Sequence, residues 1–431
     1  MEYIFFSCLS LIISYFLFSK IVDMRITKIN FLSFAFYFIM VFEMAIGSLL
    51  IILMKDHHYI ISKIGSLETR KLGYYCVNLF IISFPGIILI CSKIFKFNIK
   101  EINENCNINK IKILFKKNTK EIYYICWLFF IIGILSMFYT IFSIKTFPLI
   151  HSIFYGDGAK LRIIINRNFP GNQYIKNLIF YIIPPLFTFI TYIYWKVLNC
   201  KKWKILFINF FVLTFISKTF SLEKAPFFIF LINFYFLKIL LFDKIEIKTL
   251  ILGIFFITVS IIGIYVYIGN FQSLLKYNSG PIGRIILSQI AGFYASLEIF
   301  PKFHEYLGFD FSKTSSRLIM EILNPTGVKN DVAGVMNTLF LAEAYSHFAI
   351  KGIICSMLYV PFVFSIFFKI FSILKKSPEV VALYCYLGFS YFTNNLTGGI
   401  IAYIYSPYVA FNVIYVLILI GIVYIFKSLK K

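Results

Sequence analysis

The chain has 431 residues, of which 60% are hydrophobic and 14% charged, and its mean hydropathy is +0.84. That balance excludes an ordinary water-soluble domain, which sits nearer half apolar, and places the chain in a bilayer. The net charge of +23 comes mostly from lysines lying between apolar runs; with no aromatic–basic module beside it, this charge sets membrane topology and does not mark a nucleic-acid binder.

The first apolar run, residues 3–19, has no basic n-region and no small-residue cleavage site, and Lys20, Arg25 and Lys28 follow it. It reads as a retained helix and not a cleaved signal. Ten further runs are long and apolar enough to cross about 30 Å of hydrocarbon. The eleven expected spans lie at 2–19, 31–54, 73–92, 121–144, 178–195, 203–222, 226–242, 249–268, 349–371, 379–397 and 400–426. Backbone groups in lipid must bond within their own segment, so the spans are α-helical.

Lysine collects in alternate connections: after residue 19, eight times between Lys93 and Lys120, at 196–204, at 238–248, at 369–376 and in the tail. The positive-inside rule makes these cytoplasmic, with the N-terminus out and the C-terminus in. The expected architecture is therefore a single polytopic all-α domain, 1–431, with two larger outer loops at about 145–177 and 269–348. The stretch 285–297 is too short to span and is expected to be an interfacial or re-entrant helix. The eight cysteines are scattered, show no CxxC or metal spacing, and read as small buried hydrophobes.

Both outer loops pair arginine with glycine and proline. One reads FYGDGAKLRIIINRNFPGNQYIKN, with Arg162, Arg167 and the turn at Pro170–Gly171; the other reads SRLIMEILNPTGVKND, with Arg317. Arg284 opens the stretch 285–297. Guanidinium groups present a planar fork of donors that fits phosphate oxygens. Each arginine could equally be solvated or hold a headgroup, and Arg317 has an ordinary ion-pair partner in Glu321 at i+4. Further on, Glu343 and His347 stand at i, i+4 on one helix face beside Tyr345, where a carboxylate and an imidazole can accept and relay a proton. The alternative is a pair that stabilises the start of the following span. Within the spans, Glu43 reads as buried against a neighbouring helix, and Lys218 and Lys238 as cations snorkelling to the two membrane faces. There is no P-loop, GxGxxG, HExxH or DxD motif, so no cofactor, nucleotide-sugar or metal is expected. A substrate would arrive already activated and already in the membrane.

The expected span number, the aromatic composition, the two arginine loops, the SLEKAPFF turn and the AEAYSHFAIKG segment together resemble the bacterial O-antigen and capsule repeat-unit polymerases of the Wzy type. The resemblance implies a GT-C-like fold in the bacterial inner membrane and a metal-independent, inverting glycosyltransferase. It implies polymerisation of oligosaccharide units linked through pyrophosphate to undecaprenol, with a flippase and a chain-length regulator as partners. It also implies Glu343 and His347 as catalytic groups, with Arg162, Arg167, Arg284, Arg317 and Tyr345 on the pyrophosphate or glycan. A lipid-linked oligosaccharide flippase or other transporter, and the related O-antigen ligase, are the competing expectations; no histidine stands in a recognisable acyl-transfer motif.

Overall fold

The computed structural model describes all residues except 59, 115–119, 157, most of 244–279, 312–313, 330–334 and 429–431. Every described element of regular structure is helical. Among the described residues, eight helices are long and apolar enough to cross a membrane: Glu2–Ile21, Phe31–Ile52, Leu67–Ile94, Lys120–Ile144, Ile175–Leu198, Ala225–Phe242, Phe340–Ile373 and Ile401–Ile422. The protein is a multi-pass membrane protein. Of the other expected spans, 249–268 lies largely outside the described residues. The one at 203–222 is the helix Lys201–Thr219, which carries four lysines. The one at 379–397 is helical to Thr393 and then breaks into the short 3-10 turn Asn394–Thr397.

The chain forms two compact units, one built from Met1–Glu101, Lys244–Ser372 and Phe392–Tyr405, the other from Ile102–Asp243, Ile373–Tyr391 and Ser406–Lys431. The first unit buries large aromatic side chains such as Phe18, Phe80, Phe84 and Phe364, with small polar residues at some of its helix contacts. Helix Glu2–Ile21 is apolar on nearly every side, yet the stripe it buries includes Ser7, Ser10 and Ser14 along with Phe18 and Ile21, while Phe5 and Phe16 stay 71% and 62% exposed. In lipid, large apolar groups gain little by leaving the solvent, so small and polar residues can share the helix contacts. Ser7 Oγ lies 2.8 Å from Tyr74 Oη, and Ser10 Oγ donates to Asn78 Oδ1 at 2.6 Å on helix Leu67–Ile94.

The helical stretch 280–299 belongs to the same unit. It extends the expected 285–297 helix at both ends, and every residue from Ile290 to Leu297 is buried, so it is packed on all sides and does not lie on a surface. Two hydrogen bonds pin it: His58 Nε2 to Ser288 Oγ at 3.0 Å, and Thr69 Oγ1 to Glu298 Oε2 at 2.7 Å. Burial pushes the His58 imidazole below its ordinary pKa, with Asp56 opposing, so the ring works as a neutral hydrogen-bonding group.

In the second unit, helices Ile175–Leu198 and Lys201–Thr219 form a hairpin turned at Asn199, whose φ is 49°. Phe187 and Phe210 stack at 5.5 Å, and Thr188 and Thr214 share a 2.7 Å hydrogen bond. Pro184 and Pro185 lack the N–H groups that would bond the carbonyls of Phe180 and Tyr181 four residues earlier. The partner helix supplies the missing donors. Ser217 Oγ donates to Phe180 O at 2.8 Å, and Lys218 Nζ donates to Tyr181 O at 3.2 Å. Lys218 was expected to snorkel; instead it satisfies a carbonyl that proline leaves open. Lys218→Met keeps the stem and removes the donor, so it is expected to destabilise the detergent-solubilised protein by about 1–3 kcal/mol. A thermal melt identical to wild type would show that this carbonyl does not need the ammonium.

Candidate functional site

Helical geometry runs from Phe340 to Ile373 but is interrupted at Phe348 and Ala349, where Ala349 takes φ 56° and ψ −146°. In an unbroken helix, Ala344 and Gly352 would be separated by about 12 Å along the axis. Here the carbonyl oxygen of Ala344 lies 2.0 Å from where a β-carbon on Gly352 would stand. The short helix up to His347 is therefore folded back against the span that follows it, and only glycine permits that approach. At its other end, the Phe340 ring packs edge-on to Phe80 at 5.0 Å. Phe80 lies half-way along Leu67–Ile94, so this helix begins deep within the unit.

Loop 300–311 holds the reversal in place. Leu307 N donates to Ser346 O at 2.9 Å and Gly308 N to His347 O at 3.1 Å, satisfying carbonyls at the helix end. Tyr345 Oη donates to Phe300 O at 3.2 Å and lies 3.3 Å from Tyr306 Oη.

Glu343 and His347 are both buried, at 7% and 2% exposure, on one face of this helix. Glu343 Oε2 accepts from Ile401 N at 3.1 Å, at the start of the four-residue helix Ile401–Ile404. Its neighbour is the turn Thr397–Gly398–Gly399, and a β-carbon on Gly399 would stand 2.3 Å from Oε2. The carboxylate thus sits where two broken helical segments, distant in sequence, meet in one unit. His347 Nδ1 lies 2.7 Å from Gly308 O. A carbonyl only accepts, so Nδ1 carries a proton, and in the neutral form of the ring Nε2 would then be the acceptor. That nitrogen is buried and has no hydrogen-bond partner among the described residues. Glu343 and His347 share a face but each is held by its own backbone partner; among the described residues no hydrogen bond joins them.

The arginines are more dispersed. Arg284 is exposed at the start of a π-helical turn in the first unit. Arg317, in the same unit, makes the expected i, i+4 pair with Glu321 at 2.9 Å, both half exposed. Such pairs contribute a few tenths of a kcal/mol. Arg162 belongs to the second unit, 3.3 Å from Glu223 of the SLEKAPFF turn, which also accepts from Asn166 Nδ2 at 3.2 Å. Arg167 is half-buried in that unit. Glu43 is buried, as expected, and its Oε2 has no partner among the described residues.

Arg70 went unremarked in the sequence. It is buried in the first turn of Leu67–Ile94, where its guanidinium donates to Asp56 Oδ2 at 2.5 Å, to Ile51 O at 2.6 Å and to Ile64 O at 3.2 Å. One side chain thereby gathers the connection between two spans. The hint available was Asp56 preceding Arg70 across a short connection. No protein-family model matches this chain, and neither the curated proteins nor the solved structures contain a match.

Proposed function

We propose that the protein polymerises oligosaccharide units linked through pyrophosphate to undecaprenol, on the outer face of a bacterial inner membrane. The loops 145–177 and 269–348 would lie on that face. The observation that supports this reading is the placement of Glu343: a buried carboxylate held by a backbone N–H between two broken helical segments, with His347 on the same helix face. A carboxylate fixed in this way suits a general base. In the proposed step a sugar hydroxyl of one unit attacks the anomeric carbon of the other. Its proton passes to Glu343, the new glycosidic C–O bond forms, and the old C–O bond breaks to release undecaprenyl pyrophosphate with inversion. Arg284 and Arg317 would balance the charge growing on the leaving group.

Glu343→Gln keeps the size of the side chain and an oxygen to accept from Ile401 N, but removes the base. It is expected to slow polymerisation about 10²–10⁴-fold. In cells lacking the wild-type gene, the variant should leave single repeat units and no long glycan ladder on a gel; a full ladder would remove Glu343 from the mechanism.

A second reading has its own support. Broken helices meeting deep in a bundle are also how transporters build substrate sites, and Glu43 adds an intramembrane carboxylate. The same gel separates the two. Export failure removes even the single unit, whereas polymerase failure retains it.

A further inference from the structure

Loop 301–311 reads PKFHEYLGFDF, with aromatic side chains alternating with polar ones. It carries the most exposed rings near the reversal: Phe309 is 84% and Phe303 70% exposed, with Tyr306 and Phe311 also open. Phe309 and Phe311 border the candidate site. Phe311 lies 5.1 Å from the His347 imidazole, and Phe309 lies 5.0 Å from Phe348 at the helix break. Beside them is His347 Nε2, buried, the acceptor in the neutral form of the ring, and without a hydrogen-bond partner among the described residues. A buried acceptor left open costs free energy unless a ligand or water fills it.

The chemistry that matches both features is a sugar ring. Its axial C–H groups form an apolar, weakly electropositive face that suits the negative face of an aromatic ring, and its hydroxyls donate to a nitrogen lone pair. A bilayer surface fits less well. Lys302 is already engaged by Glu298 at 2.9 Å and Glu305 adds a carboxylate, so the loop offers little to attract anionic headgroups. We propose that loop 301–311 is a carbohydrate platform on which a pyranose stacks against Phe309 and Phe311, with a hydroxyl donated to His347 Nε2. This rests on the glycan reading above and adds the residues that would select the acceptor sugar.

The test uses the full-length protein in lipid nanodiscs, with oligosaccharides released by mild acid from the lipid-linked fraction of the producing cells as probe. Saturation-transfer NMR, irradiating aromatic protons, is expected to light up sugar C–H signals. The signals should fall severalfold in Phe309→Ala/Phe311→Ala, whose rings are both exposed, and stay unchanged in Phe154→Ala, an exposed ring elsewhere. His347→Phe, which keeps a ring but removes the acceptor, should weaken binding about tenfold. Absent signals in wild type, or full signals in the double variant, would overturn the platform. Quenching of Phe309→Trp fluorescence by headgroup-proximal spin-labelled lipid would overturn it too, by placing the loop in the bilayer. Loss of the glycan ladder in Glu343→Gln cells without sugar binding to the loop would leave the polymerase reading standing alone. Sugar binding with an intact ladder would do the reverse.

Discussion

Replacing Arg70 by leucine is expected to destabilise the protein by about 3–5 kcal/mol, the largest loss of any single charge in the first unit. The reason lies in what the guanidinium leaves behind. Asp56 is itself buried, at 5% exposure, and without Arg70 its carboxylate would be stranded away from water. The carbonyls of Ile51 and Ile64 would lose a charged donor at the same time. These groups end one span, shape the connection after it and begin the next, so their release should loosen the connection as a whole. A thermal melt in detergent, followed by tryptic cleavage at Lys55 and Lys63, reads both effects. The partner change sharpens the test. Removing both charges, in Arg70→Leu/Asp56→Leu, should recover part of the loss, since the cost of a broken buried pair is mostly that of the stranded partner. Single and double variants with wild-type melting would mean that the pair is solvated in the membrane.

The class of the fold was legible because hydropathy is local: a run that must dissolve in lipid announces itself residue by residue. The same holds for Arg317 and Glu321, whose i, i+4 spacing suffices to place them together. Glu343 and His347 could be put on one face for that reason. What lay out of reach was where the face points. The contact between Glu343 and Ile401 spans 58 residues and depends on a glycine turn between two apolar runs that read as separate spans. The break at Phe348–Ala349 was equally hidden, because neither residue is glycine or proline and the surrounding pattern continues into the span. Lys218 shows a subtler limit. Its position near a helix end suggested snorkelling, whereas its partner is decided by two prolines on another helix. Side chains whose task is to satisfy someone else's backbone leave almost no trace in their own neighbourhood.

The break itself supplies the second large effect. Gly352→Ala would set a β-carbon 2.0 Å from Ala344 O and 3.0 Å from Phe348 Cβ. The first of these is backbone, held in a helix whose end is bonded to loop 307–308, so it cannot swing aside as a flexible side chain would. The short helix must move away, and Glu343 moves with it, off the N–H of Ile401. Misplacement of a reacting group by about 1 Å can cost on the order of 100-fold in rate, so the variant should lose its ladder nearly as completely as Glu343→Gln. Stability separates the two. Glu343→Gln should melt near wild type, whereas Gly352→Ala should melt lower, by an overpacking cost of about 1–3 kcal/mol. Ala349→Gly tests the same hinge in the opposite direction. Alanine at φ 56° and ψ −146° occupies a region that suits only glycine, so the change should relieve about 1–3 kcal/mol of strain and raise the melting temperature. If Gly352→Ala melted and polymerised like wild type, the helix would have to run straight through Phe348, and Glu343 would no longer lie against the Gly399 turn.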